Sequence, residues 1–272
     1  MTSTPSEDLL RTLIERTLRA GADAADARLG ESASLSVEVR KGELESVERE
    51  ESRGLALRAL VGRRQAHVSA TDLSASSLDA LGDRVVAMAR MAPEDPWVGI
   101  PDSSEISLVH PDLELDCDDT PEADVLEERA RQGEEAALAV PGIKQTGHSG
   151  ASWSTSRSWV AASNGFFASR SSGMSSMAVV AIAERDGAME RDHDSRSERR
   201  RDRMISPAAI GRLAGERAAA RLGARKIGSQ TAAVIFENRL ANRLLGAFVG
   251  AISGPAVARG VSFLKDKMRR PV

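Results

Sequence analysis

The sequence predicts an α+β fold in which antiparallel meander sheets carry packed helices. Two observations point there. Apolar residues at helical spacing alternate along the chain with stretches of period two. The period-two stretches are joined by short glycine turns such as Lys41-Gly42, Asn164-Gly165 and Asp186-Gly187, which favour hairpins over crossovers.

The spacing predicts a first helix over Ser6 to Ala20. Leu9, Leu10, Leu13, Ile14, Thr17 and Leu18 share a face, Ser6 stands as N-cap, and Gly21 ends it. Alternation begins at Ala33 with Leu35, Val37 and Val39, and resumes after Lys41-Gly42 at Leu44 and Val47. A third strand is expected over Gly54 to Leu60 and a fourth over Arg64 to Ala70, joined at Val61-Gly62-Arg63. Thr71-Asp72-Leu73-Ser74 introduces a helix to about Met91, with Leu78, Leu81, Val85, Met88 and Ala89 inward. Ala92 to Pro111 reads as a linker. From Asp112 to Glu128 nine carboxylates occur without a Lys or Arg, as suits a solvated segment entering an acidic helix N-terminus. That helix is expected over Pro121 to Ala139, with Glu134-Glu135 outward. Gly147 to Ser176 has the composition of a flexible linker, but Trp153, Trp159, Val160, Phe166 and Phe167 around Asn164-Gly165 argue for a hairpin. Strands over Met177 to Glu184 and Ala188 to Asp194 flank Asp186-Gly187. Pro207 to Gly223 is a helix of small residues, suited to close packing on a sheet.

Hydrophobic content of 41% and charged content of 28% are those of a globular chain with ample core. A net charge of −3 and an aromatic content of 3% argue against a nucleic-acid surface or a base-stacking platform. One cysteine, Cys117, excludes an internal disulfide and suits a reducing compartment. The polar N-terminus MTSTPSEDLL does not read as a signal peptide and no run is long enough to span a membrane, so a cytoplasmic location is expected.

Candidate chemistry is sparse. His67, His110, His148 and His193 never pair at i, i+3 or i+4. In Asp192-His193-Asp194 only the two aspartates share a strand face, and a polar strand end is expected there rather than a metal site. The basic run Arg196 to Arg203 lies in a stretch, Glu184 to Arg203, with seven basic and seven acidic residues, which reads as a salt-bridged segment. The serines of Ser152 to Ser176 have no nucleophile elbow.

Thr231 to Leu264 is the most telling stretch. Ala232 to Phe236 reads as a buried strand. Leu240, Leu244, Leu245, Phe248, Val249 and Ile252 form a helical pattern, which Ser253-Gly254-Pro255 stops. The helix and the following Gly-Pro-Ala-Val-Ala-Arg-Gly-Val-Ser-Phe-Leu resemble the start of the C-terminal domain of the TldD/PmbA family. So do Gly42-Glu43, Gly54-Leu55-Ala56-Leu57-Arg58, Ser69-Ala70-Thr71-Asp72-Leu73-Ser74 and Ser163-Asn164-Gly165-Phe166, in their usual order. Family members named TldD carry a His-Glu-x-x-x-His zinc motif directly after an apolar pair on this helix. Here the pair matches Leu244-Leu245, and the two histidine positions and the glutamate position fall on Gly246, Ala251 and Ala247. None of these side chains offers a metal donor.

The resemblance implies two N-terminal subdomains (1–95 and 119–226, joined by an acidic linker over 96–118) and the beginning of a mostly β C-terminal domain over 227–272. It implies membership in the PmbA/TldE branch. Such a chain is the subunit without catalytic or metal-binding residues of a cytoplasmic zinc metalloprotease that degrades or processes unfolded peptides. The zinc is then expected on a TldD-like partner, with no cofactor on this chain. Family members extend well past this helix, so a C-terminally truncated form is expected, its apolar helix without cover. A non-proteolytic binding protein modulating DNA gyrase or a toxin–antitoxin pair, and an inactive remnant, are the alternatives.

Overall fold

The structure, a computed structural model, describes residues 4–107, 109–117 and 120–271. Two compact units divide the chain, Met1–Ala224 and Arg225–Val272.

The first unit is one six-stranded antiparallel sheet with four helices. Its elements run α1 (Pro5–Arg19), β1 (Ala24–Arg40), β2 (Glu43–Val61), β3 (Arg64–Ala70), α2 (Ala75–Met91), α3 (Ala123–Leu138), β4 (Ile143–Ala162), β5 (Phe167–Arg185), β6 (Ala188–Glu198) and α4 (Pro207–Ala220). The strand order is β3-β2-β1-β4-β5-β6. Each hairpin therefore stacks outward from β1 and β4, which pair at the centre from Asp26–Ala162 to Val39–Ser149.

The α+β class and the antiparallel hairpins are as the sequence predicts; several boundaries differ. β1 begins at Ala24, not near Ala33: pairing with β2 and β4 holds Ala24 to Ser32 extended, although the stretch lacks the branched and aromatic residues that announce a strand. The strands expected before and after Gly54 are one continuous β2, held along its length by pairing with β1. The N-cap of α1 is Thr4, whose hydroxyl accepts from Glu7 N–H at 3.3 Å, while Ser6 lies inside the helix behind Pro5. In α2 the buried positions are Leu78, Leu81, Val85, Val86 and Ala89; Met88 points to solvent rather than inward. The Asn164-Gly165 and Asp186-Gly187 turns stand as expected, with Asp186 and Gly187 both at positive φ (54° and 78°), the geometry of a type I′ hairpin.

All four helices lie against one face of the sheet. On β1 the buried residues are Ala25, Ala27, Leu29, Leu35, Val37 and Val39, every one at an odd position. The first three join α1, α2 and the Leu55, Leu57, Ala59 and Trp159 positions in one core. Leu35 and Val37 join Trp153, Met177, Val179, Leu126, Ile210 and Ala214 in a second. The helices α3 and α4 meet at glycines: a Cβ on Gly211 would stand 2.0 Å from the Gly133 carbonyl oxygen, and one on Gly133 would stand 2.3 Å from Met177 Cε. Only hydrogen at these positions lets the helices close to this distance.

The segment between α2 and α3 docks on the sheet. Beyond the end of β6, β5 would have an open edge. Gly173 N–H donates to the Leu115 carbonyl at 2.9 Å, Arg199 donates to Leu115 and Gly173 carbonyls, and the His110 ring reaches the Phe167 carbonyl at 3.2 Å. Asp118 and Asp119 of the acidic run lie outside the described residues.

The second unit has α5 (Asn238–Ala251) and α6 (Gly254–Ala258). Ser262 closes its turn, donating to the Ala251 carbonyl at 2.6 Å and accepting from Leu264 N–H. The strand expected over Ala232 to Phe236 is not formed, and Val234, Ile235 and Phe236 are exposed. A strand is stable only when its N–H and C=O groups pair, and no described residue supplies a partner strand there. The α5 residues read as one buried helix face, Leu240, Leu244, Leu245, Phe248, Val249 and Ile252, are 43–66% exposed. Of α5 only Ala251 is buried.

Candidate functional site

The face of the sheet opposite the helices is the most unusual surface of the first unit. Cross-strand register sets out its rows. Ser52, Ser32, Ser156 and Ser172 stand side by side on β2, β1, β4 and β5. The next row is Gly54, Gly30, Ser158 and Arg170, and the row after it contains Ala56, Arg28 and Val160. Towards the other end follow Ser34 with Ser154, then Ser36, Ser152, Ser176 and Ser197. Many of the hydroxyls pair across strands: Ser32 with Ser52 at 2.7 Å, Ser156 with Ser172 at 3.0 Å, Ser176 with Ser197 at 2.9 Å. Side chains this small leave a groove of about 940 Å³ across β2, β1, β4 and β5, at whose wall stand Arg28 and Arg170. Among the described residues neither guanidinium has a carboxylate partner. Arg157 lies over the Trp159 ring at 5.3 Å, and Glu31 is bound by Arg53 at 2.9 Å.

The buried carboxylates are structural. Glu134 is 1% exposed, not on the outer face of its helix as the sequence suggests. It accepts from Lys41 N–H at 2.9 Å, Gly42 N–H at 2.7 Å and the Thr146 hydroxyl, so it ties α3 to the β1–β2 turn. Lys41 and Gly42 both have positive φ, which turns their two N–H groups towards one acceptor. A helical pattern on α3 alone could not show this, because the acceptor's partners lie about ninety residues earlier. Asp192 and Asp194 do share the helix face, as expected, and arginines of α4 meet them: Arg217 binds Asp194 and Arg221 Nη1 lies 3.4 Å from Asp192. Arg196 adds a second bond to Asp194 at 3.0 Å. These are ion pairs in the middle of β6, where the sequence predicts a strand end, because the strand runs on to Glu198. Of the histidines, His148 lies beside Glu38 at 3.4 Å, and His110 packs edge-on to Phe166. No group of three metal-ligating side chains converges among the described residues. In the basic run, Arg199 holds the docked segment, and burial together with the charge of Arg201 lowers the Arg129 guanidinium from its ordinary value.

Gly246, Ala247 and Ala251 all stand on α5, the first two exposed and the third buried. Their side chains do not fit a zinc ion, whatever the helix geometry.

Three family descriptions match along the chain: PmbA/TldA metallopeptidase domain 1 over residues 25–89, the central domain over 116–222 and the C-terminal domain over 229–272. The chain belongs to the PmbA/TldD family. It is 30% identical to the metalloprotease PmbA of Escherichia coli O157:H7 over 98% of its own length and 59% of that protein's. A PmbA homologue of Haemophilus influenzae is 29% identical over 95% of this chain and 57% of the relative. The chain thus spans somewhat over half the length of the curated relatives it matches. Its fold is that of a Bacteroides thetaiotaomicron protein proposed as a modulator of DNA gyrase (TM-score 0.89, 23% identity, 98% of this chain and 61% of the other). It is also that of TldE from Thermococcus kodakarensis (TM-score 0.70, 15% identity, 94% and 58%).

Within the PmbA/TldD family fold, then, this chain carries an open, polar sheet face that the sequence alone does not reveal. The signal was present in the alternation Ser32, Ser34, Ser36 and Ser152, Ser154, Ser156, Ser158. Only strand pairing shows that these serines lie on one side.

Proposed function

We propose that this chain is the metal-free, TldE-like subunit of a cytoplasmic protease complex. In this reading a TldD-like partner carries the zinc and cleaves unfolded peptides, and this chain contributes binding surface. The observation that carries the reading is the occupancy of the motif positions on α5 by Gly246, Ala247 and Ala251. A family member with no donor at these places has no peptide-bond chemistry of its own and acts through another chain. The 30% and 29% identity to PmbA relatives and the likeness in fold to TldE support the assignment to this branch. No helix is long and apolar enough to cross a membrane. The exposed apolar face of α5 is a surface of the kind that association covers.

Co-expression with a TldD-like protein of the same genome, size-exclusion chromatography and a zinc-dependent peptide-cleavage assay test the reading. Co-elution with cleavage that requires both chains and is lost on chelation is expected. Separate elution without cleavage would overturn it. A non-proteolytic regulator, which the gyrase-modulator description of the structural neighbours favours, would then take its place.

A further inference from the structure

We propose that the groove on the open sheet face binds an extended peptide through its carboxylate side chains, which Arg28 and Arg170 receive. The inference rests on the reading above for its biological use and names the class of peptide that the chain takes.

Three observations combine. First, the two guanidiniums are exposed on the same face and, among the described residues, unpaired, whereas most other arginines of the sheet have partners: Arg58 binds Asp26, Arg53 binds Glu31, Arg49 binds Glu51. An arginine held on a strand without a partner is open to a carboxylate, which it can bind with two parallel N–H donors. Second, their register is complementary to an extended chain. Arg28 stands opposite Val160 and Arg170 opposite Ser158, so they flank β4 from either side, two residues apart along it. Sheet spacing then puts their Cα atoms about 12 Å apart. An extended ligand presents alternate residues to the sheet, about 7 Å apart, and arginine side chains leaning inward close the remaining distance. Carboxylates at alternating positions therefore meet both guanidiniums, while adjacent ones point to opposite sides. Third, the floor beside Arg28, where Gly30 and Gly54 stand next to each other on β1 and β2, has room for a backbone. A Cβ added at Gly30 would find nothing nearer than 4.0 Å, and one at Gly54 nothing nearer than 3.9 Å. Serine hydroxyls line the same floor and can turn to serve peptide carbonyls or N–H groups.

The test uses the 272-residue chain alone, so that it does not depend on any partner, and fluorescence anisotropy of fluorescein-labelled peptides. The probe is Ala-Ser-Asp-Ser-Asp-Ser-Ala, compared with a version carrying Asn at both Asp positions and one with the two Asp adjacent. Saturable binding of the alternating peptide is expected, with about tenfold or greater loss for the Asn peptide and a smaller loss for the adjacent one. Arg28→Gln and Arg170→Gln should each weaken binding about tenfold. Ser158→Glu, which sets a carboxylate between the two arginines, should suppress it, and Arg203→Gln, in the short 3-10 turn Arg201–Arg203 that does not line the groove, should leave it unchanged. Equal binding of the Asn peptide, or binding indifferent to both arginine substitutions, would overturn the proposal. So would displacement of the peptide by inorganic phosphate at equal concentration, or tighter binding of a single-stranded oligonucleotide lost in the same variants. Each of these results leaves the co-elution experiment standing, so failure here is distinct from failure of the subunit reading.

Discussion

The two faces of the sheet are made by the same strands and obey opposite rules. On the helix face the rows beneath the two cores are filled, Leu55 beside Leu29 beside Trp159 and Val37 beside Ala151 beside Met177, with a charged row of Arg53, Glu31 and Arg157 between them. Glycine occurs there, on α3 and α4, to let helices touch. On the other face the rows are mostly serine and glycine, several hydroxyls pair with one another, and among the described residues of the first unit no helix lies over them. The buried contacts therefore lie on one side, and the other is left open to solvent. The same kind of substitution should have opposite consequences on the two faces, and that gives ways to break the comparison.

The largest expected effect is at Glu134. Replacing it by Ala leaves the Lys41 and Gly42 N–H groups and the Thr146 hydroxyl without their buried acceptor, at a cost of roughly 3 kcal/mol or more. Glu134→Gln, which keeps one acceptor oxygen, should recover part of the loss. Urea titration measures both, and a fully stable Glu134→Ala would show that the latch between α3 and the β1–β2 turn is unimportant.

Glycine gives the sharpest contrast. Gly211→Ala puts a methyl group 2.0 Å from the Gly133 carbonyl, which is backbone and cannot rotate away. The gain in helix propensity is smaller than the overpacking cost, so a net loss of roughly 1–3 kcal/mol is expected. Gly30→Ala on the open face meets nothing closer than 4.0 Å and should be neutral or slightly stabilising, within about 0.5 kcal/mol. A comparable loss at Gly30 would mean that the open face is packed after all.

How far the sequence reveals these two faces depends on residue type. The apolar alternation of Leu35, Val37 and Val39 was legible because branched side chains mark both a strand and its buried side. Ala24 to Ser32 carries no such mark, and β1 only becomes visible there when β2 and β4 pair with it. Gly147 to Ser176 was legible as strand through its aromatic residues, yet the common side of its serines was not, since a face is a property of several strands. The reading of Gly246, Ala247 and Ala251 as motif positions comes from the family resemblance rather than from any feature of the fold. Ala232 to Phe236 shows the opposite limit. Its composition suits a strand, but a strand requires a neighbour that local sequence cannot supply.

On the open face itself, Ser32→Ala with Ser52→Ala removes one cross-strand hydroxyl pair that is open to water. Water replaces such a bond at little cost, so the double variant should lie within about 0.5 kcal/mol of the parent by urea titration. A loss of several times that size would give the serine rows a structural role and weaken their reading as a binding surface.

The smallest effect lies away from both faces, at the start of α2, and is diagnostic through its pH dependence. Asp72 accepts from the Ser77 hydroxyl and from the N–H and hydroxyl of Ser74, the bond to Ser77 being the main reason its carboxyl lies below the ordinary value of 3.8. A carboxylate whose folded pKa is depressed contributes stability above its unfolded pKa, and that contribution is lost as pH falls through the folded one. The group is fully solvated, so the contribution is small. Asp72→Asn should lower the melting temperature slightly near neutral pH, and the difference from the parent should fade from about pH 4 downward. A difference that persisted unchanged into acid would mean that Asp72 acts through its shape rather than its charge. The helix start would then be held by the Ser74 backbone position alone.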